Sequence, residues 1–286
     1  MIAPGSPTVR RRRLAAELRG IREDKGKSGD AVAAALKWSP SKISRYERAR
    51  TGLRPREVER LLDYYQITGS HRELLLGLAE DATQKGWWEE FADSLSEDYQ
   101  QFIGLEHEAA SMSIWHVDVV TGLLQTEDYA TAVISLGDHP IDQAERLVVL
   151  RKERQRRFRE GKLKLWIILD EAVLRRPVAG IAVQLEQLRY LKQGCASPTL
   201  TLQVIPYGAG GHAVPTGFSI LRFAERDLPD VVYVENLTSA LYLDKQVDVD
   251  RYLLAMERLS IVAYEPHETP RILDEIIWQM EAADEE

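Results

Sequence analysis

A chain of 286 residues, 44% hydrophobic and with a formal net charge of −8, can bury one large core or one small and one medium core. The charge is unevenly spread: residues 1–80 carry 17 Lys and Arg against 10 Asp and Glu, a net of +7, which leaves −15 on residues 81–286. The single cysteine, Cys195, excludes an internal disulfide and any multi-cysteine metal site, and no apolar run approaches the roughly 18 residues of a membrane helix. The expectation is a soluble cytoplasmic protein in which a basic module, suited to meeting an anion, is joined to an acidic one.

In chain order, Val9, Leu14, Leu18 and Ile21 recur at helical spacing between Thr8, a plausible cap, and the stop at Gly26. Ser28 caps a second, alanine-rich helix over 30–36, whose small side chains let another helix cross closely. After a three-residue break, Ser39 caps a third helix with Pro40 at its first position; Ile43 and Tyr46 face inward, and Ser41, Lys42, Ser44 and Arg45 face outward. Pro55 opens a fourth helix with Val58, Leu61, Leu62 and Tyr65 on one face. Ser70 and Glu73 form a capping box for a fifth, carrying Leu74, Leu75 and Leu78. Five short helices whose middle pair is separated by a tight turn describe a helix-turn-helix unit.

The stretch SGDAVAAALKWSPSKISRYE, residues 28–47, resembles the Cro/repressor (Xre-type) helix-turn-helix. Ala33 stands at the crossing point, Ser39 opens the recognition helix, Ile43 enters the core and Glu47 ends the helix. The resemblance implies an ion pair between Arg22 of helix one and Glu47. It also implies a turn glycine where this chain has Lys37, and a base-reading glutamine where it has Gly29. A helix of this kind fits the major groove, and Arg45 is the best placed to bond guanine bidentately, a contact worth about 1–3 kcal/mol of discrimination. Ser41, Lys42 and Ser44 come next, and Ser39 with the free amides of that helix end suits a phosphate. Arg48, Arg50, Arg54 and Arg56 would follow the backbone, adding affinity without sequence information. The tract Arg10–Arg13 is a candidate for a neighbouring groove or phosphates.

The expected boundary falls near 85, dividing a helix-turn-helix DNA-binding domain (1–85) from an acidic regulatory or partner-binding domain (86–286). Gly86-Trp-Trp88 ends the helical region and a polar stretch, 93–101, follows. Helices are expected over 126–136 and 141–160. Short runs rich in β-branched and aromatic residues then read as strands at 163–169, 200–205, 218–223 and 231–234, with more strand near 240–243. Helices at 181–193, 249–262 and 272–280 complete the pattern. The fold class is thus an all-α helix-turn-helix domain followed by a mixed α/β (α+β) domain.

In order, GWW at 86–88, LEHEA at 105–109, GLLQTEDYA at 122–130, RKERQ at 151–155, LDEAVLRR at 169–176, LQVIPYGAGGH at 202–212, FSILRF at 218–223 and VVYVEN at 231–236 are similar to the C-terminal domain of unknown function in actinobacterial Xre-type regulators of the WhiJ-like group. That resemblance implies a transcriptional regulator of development or secondary metabolism, paired with a small BldB-like partner protein in an antitoxin-like arrangement.

No residue set argues for an enzyme, a cofactor or a metal. The stretch 208–213 fits a dinucleotide fingerprint, but Val214-Pro215 stands where the phosphate-binding helix should begin. Asp170-Glu171 reads as a cap or a salt bridge, and the six histidines show no ligand spacing. Gly208, Gly210, Gly211 and His212 lie in the candidate mouth of a ligand or partner site. Around 151–159 lies one basic island; pairing with the domain's own carboxylates is the favoured account, with an anionic ligand or added DNA backbone contact as alternatives. Three readings stand: a homodimeric DNA-binding regulator on double-stranded DNA, an antitoxin-like protein whose DNA contact serves autoregulation, and a small-molecule-responsive regulator.

Overall fold

The computed structural model describes residues 6–49, 51–137, 139–160, 163–210, 214–225 and 228–284. The chain divides into two compact units, residues 1–90 with 103–108, and residues 91–102 with 109–286.

Five helices dominate the first unit: α1 (Pro7–Asp24), α2 (Gly29–Leu36), α3 (Pro40–Glu47), α4 (Pro55–Tyr65) and α5 (Gly69–Asp81). Their core gathers Leu14, Leu18 and Ile21 of α1, Val32, Ala33 and Leu36 of α2, Ile43 of α3, and Val58, Leu61, Leu62 and Tyr65 of α4. Two local readings are corrected. The residue preceding α1 is Ser6, with Pro7 at the first position, so Thr8 lies buried inside the first turn rather than capping it. Ser70 likewise lies within α5: the chain enters that helix through Thr68 and Gly69, and Gly69 has φ +67°. In α5, Leu75, Leu78 and Ala79 face the core while Leu74 is 50% exposed.

The polar stretch 93–101 is largely helical. A 3₁₀ turn spans Trp87–Ser94 and α6 spans Glu97–Glu108, with Glu97 and Asp98 in the first turn, where acidic side chains suit the helix dipole.

The second unit is built on one six-stranded sheet. Its strands are β1 (Ser111–His116), β2 (Lys164–Asp170), β3 (Leu200–Ile205), β4 (Phe218–Arg222), β5 (Val231–Glu235) and β6 (Ala240–Leu243). The order is β3-β2-β1-β4-β5-β6; β1–β2 and β2–β3 are parallel, the other pairs antiparallel. The parallel half needs crossovers, supplied by α7 (Glu127–Ser135) and α8 (Ile141–Arg159) between β1 and β2, and by α9 (Glu171–Arg175) and α10 (Ile181–Gly194) between β2 and β3. On the antiparallel half, α11 (Gln246–Val262) lays Val249, Met256 and Leu259 against Phe218, Ile220, Val232 and Val234. The last helix, α12 (Thr269–Asp284), packs with α10 and β3. The architecture is therefore a helical helix-turn-helix region followed by a mixed α/β domain. Among the described residues no helix is long and apolar enough to cross a membrane, and no group of three or more His, Cys, Asp or Glu side chains is placed to hold a metal ion.

Candidate nucleic-acid interface

The turn between α2 and α3 determines how α3 is presented. Ser28 caps α2 by accepting the Ala31 amide at 3.1 Å. The helix ends at Lys37, whose φ of 56° and ψ of 41° are left-handed. That conformation lets the Trp38 amide return to the Ala33 carbonyl at 2.8 Å, a closing turn usually given to glycine because a side chain there is strained by about 1 kcal/mol. Ser39 then caps α3, its hydroxyl accepting the Lys42 amide at 3.2 Å and lying 3.0 Å from the Ser41 hydroxyl.

With Ile43 buried, α3 presents Ser41, Arg45 and Arg48 to solvent at i, i+4 and i+7, a single outward stripe, with Ser44 half-buried beside it. Among the described residues Arg45 and Arg48 enter no hydrogen bond or ion pair through their guanidinium groups, so both are available to an external acceptor. Arg54 and Arg56, at the start of α4, are also exposed. Arg50 lies outside the described residues.

Lys42 differs from the outward orientation expected of it. Its ammonium donates to Glu57 Oε1 at 2.6 Å and sits 4.4 Å from the centroid of the Trp38 ring. Glu57 Oε2 accepts the Tyr46 hydroxyl at 3.1 Å and the Arg54 amide at 3.0 Å. Burial pushes the Glu57 carboxyl upward, but these donors outweigh it and hold the group below the usual carboxylate range; the bond to Glu57 raises Lys42. From the other side, Arg60 lies 5.3 Å from the Trp38 ring and donates to the Leu36 carbonyl at 2.7 Å. Trp38, Glu57 and Arg60 thus lock the turn and the inner flank of α3. Sequence reading passed over all three, because their partners lie across the fold. The only sequence signal was a carboxylate three positions into a helix opened by proline.

The far end of α3 is anchored on α1. Arg22 Nε and Nη2 donate to the two oxygens of Glu47 at 2.5 and 2.9 Å, and Nη1 donates to the Lys27 carbonyl at 2.9 Å. The two side chains are 13% and 17% exposed, and the bond to Glu47 raises Arg22. Burial and the Glu47 charge push the neighbouring Tyr65 hydroxyl up to about 12. Arg10–Arg13 are half-buried on α1, and burial lowers Arg11 against the opposing effect of Glu89. They are part of a packed helix rather than a free arm. At Gly29 a Cβ would meet only the Ile43 methyl, at an ordinary 3.7 Å.

In the second unit Asp170 caps α9, accepting the Ala172 amide at 2.8 Å, while Glu171 accepts Arg175 at 2.5 Å and the Tyr207 amide at 2.8 Å. Both carboxylates are thereby committed to structure. Burial pushes the Cys195 thiol up to about 11, away from reactive thiolate chemistry. Gly208 lies in a short 3₁₀ turn, Tyr207–Ala209, and Gly210 follows with φ +78°. Gly211 and His212 lie outside the described residues.

A turn closed at Lys37, a capped α3 and an anchored Glu47 define a helix-turn-helix, the class of unit that points to DNA binding. Residues 13–75 match a family model described as a helix-turn-helix domain. Residues 99–275, more than half of the chain, match the model described as domain of unknown function DUF5753, and the chain belongs to that family. No curated protein and no solved structure matches it.

Proposed function

We propose that the chain is a sequence-specific transcriptional regulator of the Xre type, acting in the cytoplasm as a homodimer and not as an enzyme, with α3 reading the major groove. The observation that carries this reading is the outward stripe Ser41–Arg45–Arg48, whose two guanidinium groups have no partner among the described residues, on a helix fixed at both ends. Arg45, in mid-helix, takes the base-reading role. Ser39, Ser41 and Ser44 take phosphate or base-edge contacts, and Arg48, Arg50 and Arg54 follow the backbone. Lys42 contributes only by leaving Glu57, so it is a weaker reader than Arg45. One such unit reads a half-site, and a dimer on paired half-sites provides useful affinity. A gel shift on DNA upstream of the chain's own coding region tests the reading: Arg45→Ala should bind at least about tenfold more weakly there, with less loss on unrelated duplex.

A second reading, antitoxin-like and WhiJ-like, has the acidic domain bind a small BldB-like protein. Val247, Leu254 and Ile261 support it, an exposed apolar stripe at heptad spacing along α11. Co-purification of the chain with a small protein encoded beside it, lost in Ile261→Glu, tests that version.

A further inference from the structure

The second unit contains a cleft of about 390 Å³ between α7, α8, the segment 94–99 and the end of β5, within the roughly 300–1,000 Å³ range of small-molecule sites. Its walls differ in character. One is aliphatic, from Val133, Ile134, Leu147 and Leu150; the other carries Arg151, Arg154 and Glu235. In a stretch whose net charge is −15, two guanidinium groups facing one carboxyl make a local exception that the average charge does not predict.

Both arginines are held in position. Arg151 donates to Gln125 Oε1. The amide nitrogen of the same Gln125 donates to the Val120 carbonyl at 2.6 Å, so the acceptor is fixed. Gln155 secures the same loop, donating to the carbonyls of Gly122 and Gln125 at 2.8 and 2.9 Å. Gly122 is small for a reason: a Cβ there would stand 3.3 Å from Arg151 Nε. Arg154 donates to the Tyr99 hydroxyl and lies 5.4 and 5.5 Å from the Tyr99 and Phe102 rings, and Phe102 stacks on Tyr233 at 4.3 Å. Pre-organised guanidinium groups lose little side-chain entropy when they receive an anion. Glu235 stays open to solvent, and desolvation pushes its carboxyl upward. Elsewhere on the same helix Lys152 pairs with Glu127 at 2.6 Å, and Arg156 with Glu153 and Glu160 at 3.2 and 2.7 Å. Of the island 151–159, Arg151 and Arg154 line the cleft, while Arg157 donates to the Ala109 carbonyl and Arg159 to Gln155.

We propose that this cleft binds a small organic carboxylate, its acid group received by Arg151 and Arg154 and its apolar body lying against Val133, Ile134, Leu147 and Leu150. Gly208 and Gly210 are not among its walls. The proposal does not depend on α3 reading DNA, because binding is measured directly on the full chain. By ligand-observed NMR or calorimetry, octanoate and indole-3-acetate are compared with octanamide and indole-3-acetamide. The acids are expected to bind at least about tenfold more tightly than the amides, as a charge-assisted contact to arginine requires. Arg151→Met should reduce the acids to the level of the amides, and Leu147→Trp, which fills the cleft without changing charge, should abolish binding of both acids. Should Leu147→Trp fail to fold, Val133→Phe serves as the blocking variant. The proposal is overturned if neither acid binds at millimolar concentration, if acids and amides bind equally, or if a folded blocking variant binds the acids as the parent does.

Discussion

Replacing Arg22 by methionine tests the physical basis of the α3 anchor. The substitution keeps an unbranched apolar stem, shorter than that of arginine, and removes two charge-assisted bonds to Glu47, one to the Lys27 carbonyl and a longer one to Glu23 at 3.3 Å. Glu47, 17% exposed, is then left beside buried Tyr65 without its cation. Removing one partner of a fully buried pair costs about 3–5 kcal/mol. With both side chains still touching water, part of that loss is recovered by hydration, and about 2–3 kcal/mol is expected. Hydrogen exchange is the suitable assay, because the chain has two units and a single unfolding midpoint would mix them. Amides of 28–65 should exchange roughly 30- to 150-fold faster in Arg22→Met, while those of β1–β5 remain unchanged. Adding Glu47→Leu should restore a large part of the protection, since the penalty comes mainly from a stranded carboxylate. If the double variant exchanges as fast as the single one, or if Arg22→Met changes exchange less than about twofold, the anchor is not what holds α3.

Three further outcomes are expected. Lys37→Gly relieves the left-handed strain at φ 56° and should stabilise the first unit by about 0.5–1 kcal/mol, read as slower exchange over the same amides. The Glu57 carboxyl is held below its ordinary value. Its contribution is therefore present above the unfolded value of about 4.3 and is lost as pH falls through the lower folded one; Glu57→Gln should flatten the acid-side loss of protection around α3 and α4, and an unchanged pH profile counts against the network. Gly29→Gln has room beside Ile43 and should tighten binding to the upstream DNA by about 1 kcal/mol, one added hydrogen bond, measured by gel shift; equal affinity means that the start of α2 does not approach the duplex.

Much of this was legible in the sequence where the cause was local. Ser39 with Pro40, Ser28 ahead of the alanine run, and Thr126 ahead of α7 are caps whose partner lies three residues away, and the structure forms each of them. Local signals also misled where two were available: Ser70 with Glu73 offers a capping pattern, but Gly69 admits a positive φ and the helix begins earlier. Strand β1 went unread because SMSIWH alternates serine with apolar residues only briefly and follows a charged helix; parallel pairing to β2 and antiparallel pairing to β4 make it a strand. Strands β2 to β6 were legible from their β-branched content. Lys42 could not be oriented from periodicity alone, since Glu57, fifteen residues on, decides where its ammonium lies. The cleft was wholly illegible as a site, because its walls come from 94–99, 133–137, residue 139, 147–154 and residue 235 and meet only once the sheet has formed.

The central claim, that α3 reads base edges through Arg45, is tested most directly by measuring the affinity of the parent chain and of Arg45→Ala for the upstream duplex and for a set carrying each single base-pair change. The account predicts that the parent loses about 1–3 kcal/mol at one guanine position of each half-site and that Arg45→Ala no longer distinguishes that position while keeping its discrimination elsewhere. An Arg45→Ala profile parallel to the parent's at every position, or a parent that binds all duplexes alike, would contradict it.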